Sequence, residues 1–307
     1  MASTFHVYFG PSGLAEPVPV TRRVGAADCF AALAEGFDDF LAMPTYPVFI
    51  GLFYGVAGIA IAAFSSLGDA VHLIFPLAAG FAIIGPFVAI GLYEMSRRRE
   101  RGLTVRGRDA FAVLGSPASP SILAFGLLLF AIFAAWIVAA QLLYIWLYGP
   151  DPPAALIPFL QDVLTTGRGW MLIVVGGIVG FCFAALALCL SVVSIPLMLD
   201  RDIGLVPAID ASLRLTRANP LAIALWGLIV AAALVLGSLP LFFGLAVVMP
   251  VLGHATWRFY RRAIERDPAQ EVVINPPRAD ALVETPVLRP LWIFLDCLDA
   301  FRKKGWI

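Results

Sequence analysis

Residues 121–148 read SILAFGLLLFAIFAAWIVAAQLLYIWLY, 28 positions without one charged side chain. As a helix this run is about 42 Å long at 1.5 Å per residue, more than the roughly 30 Å of a bilayer's hydrocarbon. Apolar side chains occupy every face of it. A helix that is apolar all round has no side for water, so it belongs in lipid or deep inside protein. Gln141 is the lone side-chain amide in it.

Five further stretches share this character. The spans are placed at Tyr46–Phe64, Val71–Met95, Ser121–Tyr148, Trp170–Leu199, Leu221–Leu236 and Leu239–Phe259. The composition agrees: 61% of the 307 residues are apolar and 14% charged, too few charges to clothe a soluble surface. Formal net charge is zero, so the distribution of charge carries the information rather than its sum. Arg22 and Arg23 precede span one. Arg97, Arg98, Arg99, Arg101, Arg106 and Arg108 separate spans two and three. Arg201, Arg214 and Arg217 separate four and five, and Arg261, Arg262 and Arg266 follow six. The opposite connections contain Arg168 alone. Positive residues stay inside, so both termini are expected in the cytoplasm. The Arg-, Ala- and Gly-rich composition suggests a bacterium, hence its inner membrane.

The expected fold is all-α, a six-span transmembrane bundle of three hairpins. Each hairpin follows a cytoplasmic amphipathic elbow that ends at a proline: Ala27–Met43 before Pro44, Asp109–Ser119 before Pro120, and Asp210–Asn219 before Pro220. The first carries an apolar stripe at helical spacing, Phe30, Leu33, Phe37 and Phe40. The division is a flexible N-terminus (1–26), the membrane domain (27–266), a linker (267–289) and a cytoplasmic amphipathic tail (290–307). Gly51/Gly55 and Gly176/Gly180 match a small-residue helix contact, within the bundle or between protomers.

The run Phe75–Gly91, FPLAAGFAIIGPFVAIG, leads into Leu92-Tyr93-Glu94-Met95-Ser96-Arg97-Arg98-Arg99-Glu100. With Ser194–Asp202, Asn219-Pro220 and Pro250–Trp257, it resembles the bacterial integral-membrane proteins grouped as domain of unknown function 2189. The resemblance runs over residues 27–265. It implies a six-span inner-membrane protein and brings no activity with it.

The residues offer little conventional chemistry. No nucleophile elbow, phosphate loop or zinc-protease motif appears, and the four cysteines lack metal spacing. No catalytic residue, metal or cofactor is therefore expected. One charge cluster recurs at the cytoplasmic ends of spans two, four and six: Glu94, Arg97, Arg98, Asp200, Arg201, Asp202, His254, Arg258 and Arg261. Two readings compete there, a gate or anionic head-group site and ordinary interfacial anchoring with ion pairs. The basic loop Arg97, Arg98, Arg99, Arg101, Arg106 and Arg108 is expected to face anionic lipid of the cytoplasmic leaflet rather than nucleic acid. The functional expectation is a non-enzymatic protein that handles lipid or small amphiphiles, or supports assembly of a membrane complex, with a membrane-protein partner or a second copy. The alternative is a channel or transporter. A lipid-acting enzyme stands third.

Overall fold

The computed structural model describes residues 19–43, 72–73, 75–77, 83, 85–86, 89–153, 156–201, 203–239, 244–268 and 271–272. Span one, part of span two, Asp202 and the tail 290–307 lie outside them. Among the described residues every regular element is a helix. The only sheet-like pairing among them is an isolated antiparallel bridge between Thr21 and Ile264.

Helix α1 spans Ala26–Ala42. It starts where the Asp28 carboxylate accepts from the Gly25 N–H at 2.9 Å, occupying an otherwise orphaned donor. It stops at Met43, which turns extended before Pro44, a position that disfavours helix. Its buried face is Cys29, Ala32, Gly36 and Asp39, spaced three, four and three apart. Phe30 and Phe37, expected on the apolar stripe, lie on a neighbouring exposed face with Leu41.

The stretch read as the second elbow, Asp109–Ser119, is not an α-helix over its first residues. Residues Gly107–Gly115 form a 3₁₀ helix after α2 (Ile90–Glu100), begun by Asp109 accepting from the Arg106 N–H at 2.7 Å. Helix α3 follows over Ser119–Tyr148, almost the limits read from its charge-free run. The short helix α4 (Leu156–Thr165) leads to α5 (Gly167–Ser191). There Thr166 caps the start by accepting from the Gly169 N–H at 3.1 Å.

Span four is interrupted at Val192–Val193 and resumes as α6, Ser194–Arg201. Pro196 explains the break, because its ring would meet the Val192 carbonyl and it has no N–H to donate. Helix α7 (Leu205–Ala218) contains most of the stretch read as the third elbow, Asp210–Asn219. It ends at Asn219, and Pro220 opens α8 (Pro220–Ser238), where a missing N–H costs nothing. Helix α9 covers Leu245–Ala263 and runs past the expected span end into the arginines.

Among the described residues, three stretches are long and apolar enough to cross a membrane: Ser119–Tyr148, Gly167–Arg201 and Pro220–Ser238. Their outward side chains are apolar; Leu221 is 85% exposed and Phe181 73%. Large apolar surface of this kind needs a non-aqueous neighbour. Gly180 faces the Trp136 indole and Gly176 faces Leu143, so this glycine pair seats α5 on α3 within the bundle. At the arginine-rich end, α1, α2 and α9 meet through small residues. A Cβ on Gly36 would stand 2.4 Å from the Ala255 nitrogen, and one on Gly253 would stand 2.2 Å from Leu92. These close crossings set the polar residues of three helices side by side.

Candidate functional site

Two buried carboxylates organise the arginine-rich end. Asp39, from the small-residue face of α1, is fully buried. Arg258 of α9 grips it bidentately, Nε to Oδ2 at 2.9 Å and Nη2 to Oδ1 at 2.7 Å. Arg99 of α2 also donates to Oδ1, and the Ser96 hydroxyl lies 2.8 Å from Oδ2. Ser96 in turn lies 2.7 Å from Nδ1 of His254, which is fully buried. Burial pushes the Asp39 carboxyl up, but the Arg258 guanidinium and the Ser96 bond outweigh it and hold it below the usual carboxylate range. Beside this knot is an open depression of about 290 Å³ lined by Glu35, Asp38, Asp39, Arg99 and Arg258.

The second centre is Asp200 at the end of α6, also fully buried. Its Oδ2 accepts from Tyr260 and from Arg261, both at 2.8 Å. Arg97 and Arg101 approach Oδ1 at 3.7 and 3.6 Å. Glu94 ties α2 into the same network: Arg97 donates to it at 3.0 Å and Arg98 at 2.8 Å. Arg98 also pairs with Asp109 at 3.4 Å, joining the 3₁₀ helix. Glu100 receives Arg261 at 2.9 Å and the Trp257 N–H at 3.0 Å. Such pairs fix register, since each partner alone would be a buried uncompensated charge.

The structure thus sets Glu94, Arg97, Asp200 and Arg261 in one network. Arg258 and His254 belong to the neighbouring Asp39 knot. Arg201 donates to the Glu265 carbonyl. Arg262 reaches outward to Glu35 at 2.6 Å and Asp28 at 3.5 Å. In the basic loop, Arg97 and Arg98 are buried against protein carboxylates rather than turned to lipid, because the acids of α2, α6 and the 3₁₀ helix lie closer. Arg106 is exposed.

Sequence reasoning did not place Asp39, Ser96, Glu100, Asp109, Tyr260 or Glu271 in the charge cluster. Only Asp39 carried a local signal, a carboxylate in line with Cys29, Ala32 and Gly36. Glu271 falls where a linker is expected, yet residues 271–272 are bound to this cluster. The Val272 N–H donates to the Asp200 carbonyl at 2.7 Å. The Val272 carbonyl accepts from Arg97 at 2.6 Å and Arg101 at 3.0 Å. Burial pushes the Glu271 carboxyl up, but Arg266, Arg261 and Arg101 together hold it below the usual range.

At the other end of α3, His72 Nε2 lies 2.5 Å from Gln141 Oε1 and stacks on Tyr144. Among the described residues, no group of three or more His, Cys, Asp or Glu is placed to hold a metal ion.

The α2–α6 segment carries Glu94, Arg97 and Asp200, and these three residues fall within the region that matches a known family. Residues 74–200 match the family of predicted integral membrane proteins DUF2189. The match to DUF2189 covers α2 to α6 up to Asp200, a shorter stretch than the resemblance read over 27–265. Asp39, His254, Arg258 and Arg261 lie outside the region matched to DUF2189. No curated protein and no solved structure matches the chain.

Proposed function

We propose that this chain is a non-enzymatic, six-span protein of a bacterial inner membrane that holds anionic lipid at the cytoplasmic leaflet. In this reading both termini are cytoplasmic, and the three elbows form a collar at the inner interface. The observation that carries it is the junction of two surfaces. Long apolar helices with outward Leu and Phe side chains end in a buried network of arginines at one level. A lipid presents the same two chemistries in the same order, acyl chain and then phosphate.

The helix directions support the orientation. Helices α3 and α8 start beside the arginine-rich end, and α5–α6 returns to it at Asp200. Phe30, Phe37 and Leu41 give α1 an apolar face for the leaflet surface, next to the charged face formed by Glu35 and Asp38. A partner protein or a second copy fits the same exposed faces.

Gentle extraction followed by native mass spectrometry tests the proposal. The protein should retain phosphatidylglycerol or cardiolipin in preference to phosphatidylethanolamine. Equal retention of zwitterionic and anionic lipid removes the lipid reading. The alternative, a transporter, is favoured by one observation, the buried Asp39–Ser96–His254 chain opening on the polar depression. Solute or proton flux in reconstituted vesicles would support that alternative.

A further inference from the structure

We propose that the arginines around Asp200 form a phosphate-binding site that residues 271–272 of the same chain occupy in cis. The proposal rests on the lipid reading above and deepens it, naming the headgroup phosphate as ligand and the segment after α9 as its competitor.

The geometry is that of a peptide standing in for an oxyanion. Glu271 and Val272 present three acceptor oxygens to one cluster of guanidinium groups. Arg266 Nε donates to Glu271 Oε1 at 2.8 Å, and Arg101 Nη2 donates to Oε2 at 3.2 Å. Arg261 Nη2 stands 3.4 Å from Oε1. The Val272 carbonyl takes Arg97 and Arg101. Arginine forks suit tetrahedral phosphate, which offers oxygens to several of them at once.

The fit of the peptide is incomplete. Arg97 Nε, Arg101 Nε and Arg261 Nη2 are buried without a hydrogen-bond partner among the described residues, and Arg97 as a whole is 3% exposed. Buried donors left unmet are costly, so a ligand that reaches them has an advantage over the peptide. Besides these arginine contacts, the described part of the segment is tied by the Glu265 N–H to Val20, the Glu265 carbonyl to Arg201 and the Val272 N–H to the Asp200 carbonyl. Arg266 is half exposed, so the site opens at its outer edge. Asp200 and Glu100 remain in place when the peptide leaves, since Tyr260, Trp257 and Arg261 hold them.

The test uses the full chain in detergent micelles, with amide hydrogen exchange of residues 264–272 and lipid retention as the two readouts. Phosphatidylglycerol should raise exchange at Glu265 and Val272, and phosphatidylcholine should not. Glu271→Gln removes the competing charge and should reach the same retention at about tenfold lower phosphatidylglycerol. Arg101→Gln with Arg266→Gln should abolish the response. Release of the segment by inorganic phosphate alone would support the site and assign it to free phosphate, against the lipid reading. Retention of phosphatidylglycerol equal in wild type and Glu271→Gln, with unchanged exchange, overturns the competition and leaves the lipid reading standing. No retention by any variant, and no release by phosphate, overturns both.

Discussion

Replacing Asp39 by Ala should lower the stability of the folded protein by about 3 kcal/mol, toward the low end for breaking a buried ion pair. The low end applies because Arg258 and Arg99 are partly exposed and can recover some hydration. The loss exceeds that of a surface pair because Asp39 satisfies four groups at once: Arg258, Arg99, Ser96 and, through Ser96, His254. Asp39→Asn should recover a small part, since an amide oxygen accepts from Arg258 without neutralising it. The pH dependence has a definite sign. The folded carboxyl titrates below its ordinary value of 3.8, so its contribution is complete above that value. The contribution fades as pH falls through the lower, folded value. Thermal unfolding in detergent as a function of pH checks both statements. Equal stability of wild type and Asp39→Ala at neutral pH would contradict them.

Gly36→Val should be at least as damaging, for a steric reason. The first added carbon would stand 2.4 Å from the Ala255 nitrogen and 2.5 Å from its Cα. Backbone cannot rotate away as a side chain can, so α1 would have to lift off α9. Overpacking of this kind costs about 3 kcal/mol or more. It should also separate Asp39 from Arg258, so Gly36→Val and Asp39→Ala should be less than additive when combined. Unfolding midpoints of the two single variants and the double variant measure this. Full additivity would mean that the α1–α9 crossing does not position Asp39.

The transmembrane character was legible because lipid imposes one rule on every face of a helix. The charge-free run at 121–148 therefore became α3, Ser119–Tyr148, with little shift at either end. Span four reads in the sequence as continuous over Trp170–Leu199, because a bilayer helix tolerates a proline; the break at Val192–Val193 depends on which carbonyl the Pro196 ring meets. Glu94, Asp200 and the arginines could be named from their common level at helix ends. Their pairing could not, because each arginine has several acids in reach and tertiary packing selects among them. Asp39 lies 219 residues from Arg258, and nothing local distinguishes it from its neighbour Asp38 except the small-residue face it shares. Glu271 was hidden more deeply. A polar, proline-containing stretch reads as linker, and only the positions of Arg97, Arg101 and Asp200 show what residues 271–272 bind.

A lipid site at the inner leaflet requires the arginine network to face the cytoplasm while α4 faces the other side. Single cysteines placed at Ile157 in α4 and at Leu103 beyond α2, both exposed in the structure, report this directly in intact cells. The native cysteines are replaced first. An impermeant maleimide should label Ile157→Cys without permeabilisation and Leu103→Cys only after it. Labelling of Leu103→Cys in sealed cells, with Ile157→Cys protected, would contradict the orientation and the lipid site built on it.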